Sequence, residues 1–146
     1  MEGLIDAGIR HIINLMEEDE QDHDGDLFTP YHHRFTEIAS LRKIDVQWER
    51  IPIRDVSVPT QQVMTVILDK IDRALTQKRP VYVHCWGGKG RTGTVVGCYL
   101  IRHGHAEGAS ALEKIKDLRR NDPRAYEPSP ETRPQRDFVR RWLPGQ

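Results

Sequence analysis

A chain of 146 residues with 37% hydrophobic and 30% charged side chains has the composition of an ordinary folded domain. Its 22 basic and 22 acidic residues cancel, so bulk charge favours neither nucleic acid nor an anionic membrane surface as a partner. The apolar runs are far short of a membrane span, the first residues carry no signal-peptide pattern, and two cysteines are too few for a disulfide framework. A cytoplasmic protein without membrane insertion is the expectation.

The chain opens almost directly on a helix. That leaves open either an unusual sheet edge or a trimmed first strand, within residues 1–146 that otherwise read as a single domain. Gly8 fits a helix C-cap before the apolar run of residues 10–15. Glu17-Glu18-Asp19-Glu20, with Asp22, Asp24 and Asp26, reads as a solvated loop facing away from any anion site. It contains Asp-x-Asp-Gly-Asp but lacks the downstream Glu of a calcium loop. Tyr31 to Lys43 predicts a helix with Ile38 and Leu41 on one face. Val46, Trp48, Ile51 and Ile53 predict a strand ending at Arg54-Asp55.

Thr60 offers an N-cap for a helix whose Val63, Met64, Ile67, Leu68, Ile71 and Leu75 recur at helical spacing. Pro80 ends it, and Val81-Tyr82-Val83 predicts a short buried strand. A glycine-rich loop follows, then a mostly apolar helix over Thr92 to Arg102. Another helix is expected over Ala106 to Arg120, with Ala109, Leu112, Ile115 and Leu118 inward. A last short helix carries Phe138, Val139 and Trp142. Strands alternating with helices predict an α/β fold: a mainly parallel central sheet flanked by helices.

Strand, glycine-rich loop, helix is the arrangement that makes an anion site. Backbone N–H groups of the loop and the helix start converge on one point, and the helix dipole adds positive potential. The loop is His84-Cys85-Trp86-Gly87-Gly88-Lys89-Gly90-Arg91-Thr92. Gly87, Gly88, Gly90 and Gly93 allow a tight curl with left-handed conformations. Arg91 can fold its guanidinium across the mouth and hold two oxygens of a tetrahedral oxyanion. Cys85 sits at the bottom, where the same N–H groups would hold a thiolate and make it a nucleophile. Thr92 can bond the leaving thiolate, and His84 is an organiser of loop backbone.

The pattern His-Cys-x2-Gly-x2-Arg-Thr-Gly, after a short apolar strand and before a helix, resembles the signature of the cysteine-based protein tyrosine phosphatase superfamily, on its dual-specificity side. The resemblance implies that family's fold, a cysteinyl-phosphate mechanism and no metal cofactor. Trp86, Gly87, Gly88, Lys89, Gly90 and Arg91 become the expected phosphate-binding loop. Ester cleavage also needs a proton on the leaving oxygen. Asp55 is the best candidate: it lies at a strand end, on the rim of Cys85 if the strands are parallel, and its surroundings look like the family's acid loop. A loop carboxylate paired with Arg54 is the plainer alternative. Asp122-Pro123 is a rival, since low-molecular-weight tyrosine phosphatases use an Asp-Pro acid, but those place the cysteine loop near the N-terminus. Gln135, in a stretch similar to the C-terminal helix of some relatives, is a candidate for positioning water, set against a solvated helix position.

Lys89-Gly90-Arg91-Thr92-Gly93 also looks like the loop of lipid phosphatases of the phosphatase-and-tensin type, where added lysine charge favours a second phosphate. Trp86 stands where those enzymes carry another lysine, and it is expected to pack under the loop, with a place in a wall as the alternative. The preferred function is hydrolysis of phosphate monoesters on phosphorylated protein, with phosphotyrosine or dual specificity. A phosphoinositide or inositol phosphate phosphatase is the alternative, and a catalytically inactive phosphate-binding adaptor a further one. A rhodanese-like sulfurtransferase also mounts a cysteine between strand and helix, but the Asp55 segment and the Arg-Thr-Gly ending argue against it. Cys98 lies seven positions past Arg91, about 10 Å of helix rise, so it is expected to be a core thiol and not a redox partner of Cys85. His32-His33 and His103-x-His105 read as surface histidines.

Overall fold

The computed structural model describes residues 1–146. Three strands, β1 (His11–Asn14), β2 (Gln47–Arg50) and β3 (Val81–His84), form one sheet in the order β2-β1-β3, with both pairings parallel. Six helices surround it: α1 (Glu2–Asp6), α2 (His32–Leu41), α3 (Gln61–Thr76), α4 (Arg91–Arg102), α5 (Ser110–Leu118) and α6 (Arg133–Arg141). This is the expected α/β architecture. Parallel neighbours need crossovers, and α2 and α3 supply them.

β1 is the central strand, and all four of its residues are buried. Alternation along it divides the core. Ile12 joins Ile5, Phe35, Ile38 and Ala39 on the face covered by α1 and α2. Ile13 joins Met64, Ile67, Leu68, Val95, Cys98, Ile101 and Val139 on the face covered by α3, α4 and α6. No helix is long and apolar enough to cross a membrane.

The start of α3 follows the expected chemistry: the Thr60 hydroxyl accepts from Val63 N–H at 3.2 Å. Elsewhere the observed elements differ from the sequence pattern for identifiable reasons. β2 stops at Arg50 and does not run to Asp55, because Pro52 has no N–H. Ile51 N–H and Ile53 N–H still donate to Asn14 O and Leu15 O, both at 2.9 Å, so the segment stays extended beside β1. β3 is an edge strand with Tyr82 exposed, not a buried one.

In α3 the inward position near the C-terminus belongs to Ala74, and Leu75 is exposed. α5 begins only at Ser110, and it buries Ala111 and Ile115 while Leu118 faces solvent. Its inward stripe is therefore narrower than the predicted one. Leu41 of α2 is likewise exposed.

Candidate active site

Parallel pairing brings the C-terminal ends of all three strands to one rim, and each strand feeds a loop into it. β3 leads straight into Cys85, β2 into the segment ending at Asp55, and β1 into the acidic loop. Leu15 N–H donates to His84 O at 2.8 Å and Met16 N–H to Asn14 Oδ1 at 2.9 Å, which ties the first of these loops to the others.

Cys85 is buried, and the Thr92 hydroxyl donates to its sulfur at 3.2 Å. Among the loop glycines Gly88 alone takes a left-handed backbone, at φ +71°. Gly93 lies inside α4, where it serves close approach: a Cβ there would stand 2.3 Å from Ser129 Oγ and 3.3 Å from the Pro130 backbone. That contact matters because the segment after α5 braces the loop from outside. Ser129 Oγ donates to Lys89 O at 2.8 Å and Arg124 Nη2 to Gly87 O at 3.0 Å.

Lys89 is held by Glu127 and, at 3.2 Å, by Glu131. Those hydrogen bonds, Glu127 first, raise its pKa above the ordinary lysine value. The lysine that the loop pattern offers to a second phosphate is thus already neutralised.

Arg91 is 2% exposed and folds back under the rim. There it meets Glu20 in a fork: Nη1 to Oε2 and Nη2 to Oε1, both at 2.6 Å. Nη1 also donates to Ile53 O at 3.1 Å, and Nη2 lies 2.8 Å from Asp55 Oδ1. Burial opposes the Arg91 charge, but Glu20, Asp55 and Cys85 outweigh it and keep its pKa above the ordinary arginine value. The acidic run therefore does not face away from the anion site, as expected, but enters it. Asp22 Oδ1 accepts the N–H groups of Asp24 and Asp26 at 2.9 and 3.0 Å, and Gln21 pairs with Leu27. This small self-capped turn presents Glu20.

The fork leads to a stability prediction. Breaking a buried ion pair from one side leaves the other charge uncompensated. Both partners are buried here, Glu20 at 9% side-chain exposure. Because Arg91 would keep only the half-exposed Asp55 and the Ile53 carbonyl, Glu20→Gln should cost about 1 to 3 kcal/mol in denaturant unfolding. An unchanged midpoint would remove Glu20 from the arginine clamp.

Asp55 is half exposed and pairs with Arg91, not with Arg54. The next residue, Val56, holds φ +54°, a left-handed backbone that a β-branched residue adopts only under constraint. Part of that constraint is Gln135. It is fully buried, its Oε1 accepts from Thr132 N–H at 3.0 Å, and its Nε2 donates to Ser57 O at 3.0 Å. Both ends of the amide are thus engaged, one in the capping box of α6 and one in the acid loop. Gln135 is a buried residue beside the Cys85 loop and not a solvated helix position. Asp122 accepts from Arg124 N–H and from Arg119, and these partners, the backbone bond first, pull its pKa below the ordinary carboxyl value. A carboxylate held ionised in this way is a poor proton donor.

His84 sits in a relay behind Cys85. The Cys85 carbonyl can only accept, so Nδ1 donates to it, at 3.0 Å. Nε2 then accepts from the Tyr31 hydroxyl, which in turn accepts from Trp48 Nε1 at 3.1 Å. Burial lowers the His84 pKa, the Cys85 carbonyl opposes the shift, and the Arg91 charge adds to it. A folded-state value below the unfolded one means that the unfolded chain binds the extra proton first. Stability should therefore hold above the ordinary histidine value of about 6.5 and fall as pH drops below it. Urea midpoints at pH 7.5 and 5.5 test this, and His84→Gln should flatten the difference.

Trp86 forms part of a wall, the alternative to packing under the loop. It is 40% exposed, its ring lies 4.4 Å from that of His23 and 5.4 Å from that of Phe28, and it shares the wall of a cavity with Cys85. Cys98 is a buried free thiol in the core, and burial raises its pKa strongly. His103 is bound to Asp72 at 2.8 Å, and His32 stacks on Trp48. Sequence reasoning missed Glu20 and Tyr31. The rule that selects Asp55, a carboxylate just past a parallel strand's end, also selects the acidic run after β1.

Residues 1–137 match the family model described as the Swiss Army Knife protein, DSP-PTPase phosphatase domain (PTP-SAK). The chain is similar to the dual specificity protein phosphatase CDC14B of Mus musculus, 27% identical over 121 residues that cover 75% of this chain and 24% of that protein. It is also similar to the phosphatidylglycerophosphate phosphatase PTPMT2 of Arabidopsis thaliana, 37% identical over 70 residues, 47% of this chain and 31% of that protein. The chain thus spans a quarter to a third of the length of these curated relatives.

Among solved structures, Tk-PTP in its active form superposes with a TM-score of 0.60 at 24% identity, over 92% of this chain and 78% of that one. PTPMT1 in complex with PI(5)P superposes with a TM-score of 0.64 at 20% identity, over 95% and 79%. At these identities the structures speak for the fold.

Proposed function

Because the chain belongs to the dual-specificity side of the cysteine-based protein tyrosine phosphatase superfamily, we propose that it hydrolyses phosphate monoesters through a cysteinyl-phosphate on Cys85. The observation that carries this reading is the convergence of Cys85, Thr92, Arg91 and Asp55 on one rim, with the Thr92 hydroxyl on the sulfur and Asp55 on the arginine. In the first step the thiolate attacks phosphorus, the bond to the ester oxygen breaks, and Asp55 gives that oxygen its proton. Loop N–H groups and Arg91 hold the equatorial oxygens, the phosphate taking the place of Asp55 on Nη2. In the second step the Asp55 carboxylate takes a proton from water as its oxygen attacks phosphorus. The sulfur–phosphorus bond breaks, and the Thr92 hydroxyl receives the departing thiolate.

The substrate class we favour is phosphorylated protein, phosphotyrosine at least, with dual specificity within reach of so compact a chain. Lys89 supports this, since its pairing with Glu127 and Glu131 removes the loop charge that would attract a multiply phosphorylated ring. A phosphoinositide or inositol phosphate is the second reading. It draws on the similarity to the phosphatidylinositol 3,4,5-trisphosphate 3-phosphatase and protein-tyrosine-phosphatase PTEN1 of Arabidopsis thaliana, 32% identical over 97 residues. Release of inorganic phosphate, without added metal, from a panel of phosphopeptides and inositol phosphates tests both. Turnover on phosphotyrosine peptides above the inositol phosphates is the expected ranking, and the reverse ranking would select the second reading. No release from any member, with the protein folded and reduced, would leave a phosphate-binding adaptor.

A further inference from the structure

Beside Cys85 lies a cavity of about 220 Å³ whose wall includes Phe28, Tyr31, Trp48 and Trp86, together with one arginine, Arg50. Arg50 is the last residue of β2, so the same strand-end rule that delivers Asp55 delivers it to the active-site rim. The cations that belong to the loop or brace it are engaged: Arg91 by Glu20 and Asp55, Lys89 by Glu127 and Glu131, Arg124 by the Gly87 carbonyl. Arg50 is different. No carboxylate lies within ion-pair distance of its guanidinium, and since its Nε is shut off from solvent, the terminal nitrogens are the donors a bound group could reach. The group rests over the Trp48 ring, 5.6 Å from its centroid. A cation–π contact lowers the energy of a cation but satisfies none of its N–H donors. A half-buried guanidinium with no carboxylate partner keeps its full charge, and it lines a cavity that reaches Cys85, where an anion could pair with it.

We propose that Arg50 is a second anion-binding residue of this site and reads the carboxylate of an acidic residue next to the phosphorylated residue of a peptide substrate. The proposal rests on the phosphatase reading above and narrows its substrate. Two observations favour a peptide carboxylate over the second phosphate of a polyol. The wall is largely aromatic, which suits the ring of phosphotyrosine and the apolar stem of a neighbouring side chain better than a run of hydroxyls. Glu17 and Glu18 also line the cavity, and both are exposed. Their repulsion weighs about twice as heavily on a phosphate dianion as on a singly charged carboxylate.

The test uses phosphotyrosine peptides that are identical except for Glu or Ala at each position flanking the phosphotyrosine, assayed on wild type, Arg50→Gln and Arg50→Lys. Wild type should favour one acidic peptide over its alanine counterpart by about tenfold in kcat/KM, the scale of one charge-assisted hydrogen bond. Arg50→Gln should bring that ratio towards one, and Arg50→Lys should keep part of it. Absence of a preference in wild type overturns the proposal, whatever becomes of the variants. A preference that survives Arg50→Gln also overturns it. A third arm compares glycerol or inositol bisphosphates with their monophosphates. If the Arg50-dependent ratio appears there and not among the peptides, the peptide assignment is wrong and the anion is a phosphate. Failure to release phosphate from any substrate, an aryl phosphate included, is a distinct result that removes the phosphatase reading and this proposal with it.

Discussion

Cys85→Ser should lower turnover by about 10⁴-fold or more while leaving the protein able to bind inorganic phosphate. The size of the effect follows from what surrounds the sulfur. A serine hydroxyl is a useful nucleophile only beside a base that takes its proton, and the imidazole next in the chain is His84. Both imidazole nitrogens are already committed, Nδ1 to the Cys85 carbonyl and Nε2 to the Tyr31 hydroxyl. Thr92 donates to the sulfur at 3.2 Å, so it stabilises a negative charge there but cannot create one. A thiol loses its proton without such help, and an alcohol does not. The proposed anion cup is built from backbone N–H groups and Arg91, none of which the substitution touches. Phosphate affinity measured by calorimetry should therefore stay within a few-fold of wild type. Turnover that persists in the serine variant would show that the nucleophile lies elsewhere. Lost phosphate binding in a folded variant would show that the sulfur itself builds the cup.

Much of this site was legible in the residue order, because its core is local. Cys85 to Thr92 is one continuous stretch, and a strand before it with a helix after it is a short-range pattern. The helices were legible for the same reason, as the Thr60 cap and the spacing from Met64 to Ile71 show. What the sequence hides is charge pairing across long separations. Glu20 and Arg91 lie 71 positions apart, and an acidic run looks the same whether it is solvated or aimed at a buried guanidinium. The partners of Lys89 are hidden in the same way: Glu127 and Glu131 reach it from a segment beyond α5.

Gln135 is legible only in part. A glutamine three residues past Thr132 is a capping-box signature, and the box is present. Its second bond, to Ser57, depends on how α6 packs against the acid loop and could not be read from spacing. Edge strands fail in sequence for a related reason. Tyr82 reads as buried because it lies between two valines, and only the sheet order reveals that nothing covers it.

The second large effect is expected at Asp55, and it should depend on the leaving group. A phenol or alkyl alcohol departs poorly as an anion and needs a proton as the ester bond breaks, whereas p-nitrophenolate does not. Asp55→Asn should therefore slow hydrolysis of phenyl phosphate by about 10² to 10³-fold, but that of p-nitrophenyl phosphate by less than about tenfold in the first step. A second consequence has the opposite sign. In the unliganded protein Asp55 lies 2.8 Å from Arg91 Nη2, so an incoming phosphate must displace a carboxylate. Asparagine competes less well for that nitrogen, and inorganic phosphate should bind the variant several-fold more tightly. Glu20 keeps the remaining fork in place, so the arginine stays aimed while its outer face is freed. The same substitution also removes the base of the second step, so a phosphoenzyme should accumulate and become visible by rapid quench. Equal losses on both esters would mean that Asp55 acts only by holding Arg91. Weaker phosphate binding would mean that the carboxylate orders the cup and does not compete for it.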